Sequence, residues 1–107
     1  YAGNSSSDGA FIYTGFKPSW LMIKNIDATQ SWWIFDNKRQ GYNGGDVRLR
    51  ADRDTAESTG SKVDFVSNGF KWRDGDNAWN YSGNDFVYLA FAEHPVVSSK
   101  GVPVTAR

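Results

Sequence analysis

Cysteine is absent from the sequence, and histidine occurs once, at His94. The absence of cysteine excludes a disulfide framework, a thiolate zinc site and a cysteine nucleophile. The histidine precedes a proline and no serine stands in a nucleophile-elbow context, so a catalytic triad is not expected. We therefore look for any catalytic group among the carboxylates.

A pair of carboxylates remains open as a glycoside-hydrolysing arrangement if two of them meet in space. The candidates are Asp36, Asp52, Glu57, Asp64, Asp76 and Glu93. A domain of this size rarely encloses the deep cleft that such chemistry needs. We predict that the chain is not an enzyme, and we expect no catalytic residue and no cofactor.

An excess of charge of one sign is also missing, since 12 basic and 12 acidic side chains give a net charge of zero. No run of like charges exceeds two residues. The electrostatic pattern of a nucleic-acid or membrane-surface binder is therefore absent. No apolar run reaches 18 residues, which excludes a spanning helix. We expect no nucleic-acid partner and no membrane insertion.

Aromatic residues are abundant, at 16% of the chain with five tryptophans. The length of 107 residues suits one domain with a core of its own. We predict that residues 1–9 are the end of a linker, that residues 10–95 form the domain and that residues 96–107 are a C-terminal tail. The polar segment from Asn4 to Gly9 also suggests a fragment of a longer protein.

Short apolar segments separated by Gly, Pro, Asn and Asp predict about seven strands and no substantial helix. The predicted strands are Ala10–Tyr13, Ser19–Lys24, Ser31–Asp36, Asp46–Arg50, Lys62–Val66, Phe70–Trp72 and Phe86–Ala92. This pattern predicts an all-β domain, a single antiparallel β-sandwich of jelly-roll-like type. A small barrel is the structural alternative.

Two predicted strands are apolar on both faces. Phe86–Ala92 has apolar residues at both parities, which is typical of a strand covered on both sides, so we place it at the centre of the core. Ser31–Asp36 has Trp32 and Ile34 on one face and Trp33 and Phe35 on the other. Another subunit is one way to cover the second face.

The segment Asp46–Arg50 alternates between apolar and basic residues. We predict that Val47 and Leu49 point into the core and that Arg48 and Arg50 point to solvent.

Several sequence blocks carry a resemblance when they are taken in order. They are Gly15–Pro18, Ile23–Asp27, Trp32–Asp36, Ala56–Ser58, Val63–Phe65, Ser67–Lys71 and the pair Ser82-Gly83 before Tyr88–Glu93. Together they resemble a small all-β domain that recurs in tail-fibre and other virion proteins of tailed bacteriophages.

This resemblance spans about Gly15 to Pro95 and implies a module near the end of a phage fibre or spike. Such a module is displayed on the virion, outside the cell, for attachment to a bacterial surface or for assembly. The resemblance also implies a homotrimer, and the ending Gly101–Arg107 looks like the natural C-terminus of such proteins. The family carries no catalytic motif, and it has smaller side chains where this chain has Trp79 and Tyr81.

The loop from Arg73 to Asn84 is the first candidate binding site. An aromatic ring stacks on the apolar face of a sugar, while amide and carboxylate groups bond its hydroxyls. We predict ligand contacts from Trp79, Tyr81, Asp76, Asn77 and Asn80. The alternative is that Trp79 folds back as a lid on the core while the Asn and Asp residues form Asx-turns.

A second candidate site surrounds Tyr42, with Asn43 and Arg39 beside it. A loop tyrosine has an apolar body and a polar tip suited to recognition. For metal ions the best spacing is Asp74-x-Asp76, but Ala78 stands where a calcium loop requires a ligand. We therefore predict no metal site.

Together these features predict a C-terminal host-receptor-binding module, or adhesin, of a bacteriophage tail fibre or spike. Its partner would be a glycan or another receptor on the bacterial surface, contacted through aromatic and Asn/Asp-rich loops. One alternative is a structural, trimerisation or virion decoration module without a ligand. The other is a carbohydrate-binding module of a bacterial enzyme.

Overall fold

The computed structural model describes residues 1–39 and 47–94, together with the backbone of residues 96–97 and 103–104. These residues form ten strands and no helix, so none of them lies in a helix able to cross a membrane. The strands are β1 Phe11–Tyr13, β2 Pro18–Asn25, β3 Trp33–Asp36, β4 Val47–Arg50, β5 Ser58–Thr59, β6 Val63–Val66, β7 Gly69–Trp72, β8 Phe86–Ala92, β9 Val96–Val97 and β10 Pro103–Val104. The predicted all-β class is confirmed.

Eight of the strands form two antiparallel sheets. The small sheet has the order β1-β7-β6, and the large sheet has the order β5-β4-β3-β2-β8. The sheets pack face to face as a β-sandwich, with the Phe35 ring 5.6 Å from that of Trp72 and the Phe70 ring 5.2 Å from that of Tyr88. Strand β5 lies outside the predicted strands, and β9 pairs with β10.

The small sheet is built on a hairpin in which Ser67 and Asn68 join β6 to β7. Alternate side chains of this hairpin are buried, as the sequence predicts, because a strand turns every second residue to the same face. Gly69 allows β1 to pair beside the hairpin, since a Cβ atom there would lie 2.0 Å from the carbonyl oxygen of Ile12.

The inner face of the large sheet carries the other half of the core. Leu21, Ile23, Trp33, Phe35 and Phe86 are buried against the small sheet. Leu21 and Ile23 alternate with Met22 along β2, and both are fully buried. Burial of these large apolar side chains supplies most of the driving force for folding, at about 1.5–3 kcal/mol for each side chain.

Strand β8 is at the edge of the large sheet, and its predicted place at the centre of the core is wrong. Its inward residues include Phe86 and Tyr88, whereas Val87, Leu89 and Phe91 are 46%, 49% and 52% exposed. The apolar residues at both parities arise because the outer face of this strand is itself apolar, not because it is covered by described residues.

Strand β4 has the opposite orientation to the predicted one. Arg48 pairs with Phe35 and Arg50 with Trp33, and cross-strand partners share a face. The Arg50 guanidinium lies 4.6 Å from the centre of the Trp33 ring, where a cation–π interaction stabilises it. Leu49 therefore lies on the outer face, and Val47 shares that side of the strand but is only 3% exposed. The apolar/basic alternation alone does not distinguish these two orientations.

Residues 1–9, predicted as a linker, pack against the domain. The Tyr1 ring stacks on Phe86 with centroids 5.1 Å apart, and its hydroxyl donates to the Trp79 carbonyl oxygen at 2.6 Å. The Phe86 N–H in turn donates to the Tyr1 carbonyl at 2.8 Å. Asn4 donates its N–H to Asn80 Oδ1 at 3.1 Å. This segment is part of the folded unit.

We expect Tyr1→Ala to lower the free energy of unfolding by about 2–3 kcal/mol, because a large aromatic ring is removed from the core edge. Tyr1→Phe keeps the ring and loses one hydrogen bond, so it should cost only about 1 kcal/mol. Urea unfolding of both variants measures the difference. Wild-type midpoints for both would show that the segment does not pack in solution.

Candidate functional site

The predicted binding loop begins with a tight turn at Asp76. The Asp76 carboxylate accepts the Ala78 N–H at 2.8 Å, and its carbonyl oxygen accepts the Asn80 N–H at 2.9 Å. This is the Asx-turn geometry that a short acidic side chain favours. The turn directs the following residues, Ala78 to Asn80, into the interior of the protein.

Trp79 lies inside the core and is only 3% exposed. Its ring stacks on that of Trp72 with centroids 6.0 Å apart and an interplanar angle of 17°. Trp33 and Phe35 contact it edge-on at 5.5 and 5.8 Å. A sugar can stack on a tryptophan only if solvent reaches at least one face of the ring. Neither face of Trp79 is open to solvent. The geometry fits the lid interpretation of this residue.

Asn80 is fully buried and forms four hydrogen bonds through its side chain. Its Nδ2 donates to Asn4 Oδ1 at 3.0 Å, to the Ser6 carbonyl at 3.1 Å and to the Asp74 carbonyl at 3.1 Å. A carboxamide with this many internal partners has little capacity left for a ligand. Asn80 therefore anchors the N-terminal segment to the loop.

Three of the predicted loop residues remain accessible. Tyr81 is 49% exposed, and the side chains of Asp76 and Asn77 are exposed as well. The Asn77 carbonyl oxygen accepts a 2.7 Å hydrogen bond from Asn25 Nδ2. Ligand binding by these three residues stays a prediction, but the structure does not bring Trp79 and Asn80 to the same surface.

Arg39, predicted as a ligand contact, is already paired. Its Nε donates to Asp36 Oδ2 at 2.6 Å, and its Nη1 donates to Glu57 Oε2 at 2.8 Å. Tyr42 and Asn43, the other members of the second candidate site, lie outside the described residues. The described part of this site is therefore an ion-pair network at the end of β3.

Asp74, the first carboxylate of the possible metal spacing, forms an ion pair with Lys62 and accepts the Asp76 N–H at 3.0 Å. Within residues 1–39 and 47–94, no three acidic or histidine side chains are grouped as a metal site requires.

The titratable groups with shifted pKa values belong to ion pairs or to the core. Burial raises the pKa of Asp36, but hydrogen bonds from Arg39 and the Lys38 N–H outweigh it and hold the pKa below its usual value. A hydrogen bond from Lys17 lowers the pKa of Glu93. A general acid needs a raised pKa, so neither of these two carboxylates suits that role.

A small cavity lies between the segment that leads into β3 and the end of β4. Its volume is about 190 Å³. It is lined by Thr29, Gln30, Ser31, Trp33, Arg50, Asp52 and Arg53. Sequence reasoning missed this site. Arg50 and Arg53, which flank Asp52 in the sequence, are the residues that could have indicated it.

The outer face of the large sheet is the second unpredicted feature. Leu49 pairs with Ile34, Ile34 with Met22, and Met22 with Leu89, so one apolar row crosses four strands. The rings of Trp20 and Phe91 contact each other beside this row, with centroids 5.4 Å apart. We call this surface, completed by Val87, the outer apolar face.

The small sheet has a different exterior. Arg73 pairs there with Asp64, and Lys71 pairs with Asp8 at 2.7 Å. Ion pairs of this exposed kind contribute little to stability. The exterior of the small sheet therefore combines ion pairs with the exposed rings of Phe11 and Tyr13.

A family model described as a domain of unknown function (DUF7483) matches residues 1–95. No curated protein matches the chain, and no solved structure matches it either. The matched range begins with the packed N-terminal segment and continues through β8. It therefore covers the whole sandwich, including the cavity and the outer apolar face.

We expect Trp79→Ala to lower the free energy of unfolding by about 3 kcal/mol or more, because truncation of a buried tryptophan leaves a cavity. Tyr81→Ala, at the half-exposed neighbouring aromatic, should change it by less than about 0.5 kcal/mol. Urea unfolding followed by circular dichroism compares the two. Equal midpoints for Trp79→Ala and the wild type would contradict the placement of this ring in the core.

Asp36→Asn should show a pH-dependent loss of stability. Because the pKa of Asp36 is lowered in the folded state, its charge stabilises the fold above the unfolded pKa of about 3.9, and this contribution disappears as the pH falls through the folded pKa. We expect a cost of about 1–2 kcal/mol at pH 7 that shrinks below about pH 4.

Thermal unfolding of Asp36→Asn from pH 7 to pH 2.5 tests this dependence. The exposed residue Asp54 supplies the matched control, since Asp54→Asn should run parallel to the wild type. A deficit that stays constant across the pH range would assign the cost to geometry instead of charge.

Proposed function

The chain belongs to the family of the domain of unknown function DUF7483, and we propose that it is a non-enzymatic module of a bacteriophage tail fibre or spike. In this role, copies of the chain associate through the outer apolar face. The observation that carries the proposal is the apolar row across β4, β3, β2 and β8. The resemblance of the sequence blocks supports the virion setting and the trimeric state.

The exposure of this face argues for a protein partner. Monomeric proteins rarely expose a large contiguous apolar surface, and such patches mark interaction sites. Here Val87, Leu89 and Phe91 protrude from the edge strand with about half of their surface accessible. Covering them would remove apolar area from water and stabilise the assembly in proportion to that area.

The charge of the face supports another copy of the chain as the partner. Its strands carry Lys24 and Asp36, and each has internal partners: Lys24 bonds the carbonyl oxygens of Asn25 and Ala28, and Asp36 bonds Arg39. The two charges cancel, as they do over the whole chain. A second copy therefore meets no net repulsion, and in a trimer one part of the apolar surface contacts a different part of the same surface on the next copy.

Leu89→Glu should dissociate the assembly, since a charge in an apolar contact must be desolvated without a partner. We expect the wild type to have a mass several times 12.0 kDa in multi-angle light scattering, and Leu89→Glu to have 12.0 kDa. Phe11→Glu is the matched control because Phe11 is 47% exposed on the small sheet.

The control should retain the wild-type mass, and circular dichroism should show that both variants are folded. A wild type that stays at 12.0 kDa up to high concentration would refute association through this face. Loss of assembly in Phe11→Glu as well would move the contact away from the large sheet.

Attachment to a bacterial surface glycan is a second function for the same module. The cavity beside β4 favours it, because the cavity faces away from the outer apolar face and remains available in an assembly. A carbohydrate-binding module of a bacterial enzyme would use the same site. The sequence of the parent protein distinguishes these settings, since an enzyme would carry a catalytic domain.

A further inference from the structure

Trp33 forms an aromatic wall of the cavity beside β4. It is only 7% exposed, and its ring is held edge-on against Trp79 at 5.5 Å and beneath the Arg50 guanidinium. The part of the ring that reaches the cavity offers a sugar an apolar surface beside charged and polar groups.

Two guanidinium groups line the cavity, those of Arg50 and Arg53. Among the described residues, neither Arg50 nor Arg53 forms an ion pair with a carboxylate. Arg50 is held over the Trp33 ring at 4.6 Å. Its position is therefore fixed before a ligand arrives, which lowers the entropic cost of binding.

The charge of the lining favours an anion. Arg50 and Arg53 outnumber the single acid Asp52, whose Oδ1 already accepts the Trp32 N–H at 3.3 Å. Guanidinium groups bind carboxylates through paired, charge-assisted hydrogen bonds. The neighbouring Thr29, Gln30 and Ser31 supply hydroxyl and amide groups that suit the hydroxyls of a sugar.

The size of the cavity limits the ligand to one small unit. Its volume of about 190 Å³ is below the roughly 300–1,000 Å³ of pockets for drug-sized ligands. We propose that the cavity binds a single acidic sugar, such as a hexuronic acid at the end of a surface glycan. Its carboxylate pairs with Arg50 and Arg53, and its ring oxygens face Trp33. This inference deepens the glycan-attachment function and does not depend on assembly through the outer apolar face.

Nuclear magnetic resonance titrations with D-glucuronate, D-glucose and sulfate test the proposal. We expect D-glucuronate to shift the Trp33 indole N–H resonance in a saturable manner, while D-glucose and sulfate bind at least about tenfold more weakly, because each lacks one half of the recognised chemistry. No saturable shift with D-glucuronate would overturn the site. Equal binding of sulfate and D-glucuronate would overturn the sugar and leave a general anion site.

Arg50→Gln and Arg53→Gln should each weaken D-glucuronate binding by about tenfold or more, since a charged hydrogen bond contributes about 1.5–3 kcal/mol. Arg53 is exposed, so its variant keeps the test valid if Arg50→Gln fails to fold. Arg73→Gln, on the small sheet, is the matched control and should bind normally. An equal loss in the control would refute the assignment to the cavity.

The same titration with Leu89→Glu separates this proposal from the assembly. We expect the monomeric variant to bind D-glucuronate as the wild type does, because Leu89 lies on the opposite side of the large sheet from Trp33. If the wild type binds D-glucuronate and Leu89→Glu does not, the site needs a second copy of the chain. That result would contradict a cavity that binds the sugar within one copy.

Discussion

The stacking of Trp72 against its aromatic neighbours is the interaction on which the rest of the structure depends. Trp72 belongs to the small sheet, and its ring meets Phe35 of the large sheet, Trp79 of the loop and Tyr1 of the N-terminal segment. One side chain therefore joins four parts of a chain that has no disulfide to do so. The loop and the first residues adopt their positions because they close this aromatic cluster.

The same cluster determines which side chains lie on the inner face of the large sheet. Trp79 is drawn inward, and Arg48 lies within 5.7 Å of its ring centre on the inner side of the large sheet. Arg50 follows on the same face, two residues later, and reaches Trp33 at the end of the sandwich. Alternation alone predicts that Arg48 and Arg50 point to solvent, but both lie on the inner face of the large sheet. Leu49, between them, lies on the outer face.

The sequence correctly predicted the strands whose pairing partners lie close to them in the chain. The two strands of the β6–β7 hairpin followed from alternation and turn residues, because both signals depend on local geometry. The edge position of β8 and the orientation of β4 did not follow. Both depend on which strands pair with them, and an apolar residue on a strand does not reveal whether anything covers it.

The candidate sites show the same limit. Trp79 and Tyr81 are two residues apart and have the same loop context, but the turn at Asp76 buries one and leaves the other exposed. The cavity joins residues near 30 with residues near 50, and only the pairing of β3 with β4 brings them together. A motif search along the chain has no pattern for such a site.

The contact between Tyr1 and Phe86 has a consequence for solubility. An edge strand with apolar side chains is a template on which foreign strands can add, and such addition leads to aggregation. Tyr1 occupies the backbone groups of Phe86 at the beginning of this edge. Proteolytic removal of the first residues would therefore expose the backbone groups of Phe86 at this edge and open the aromatic cluster to water, and both changes favour aggregation.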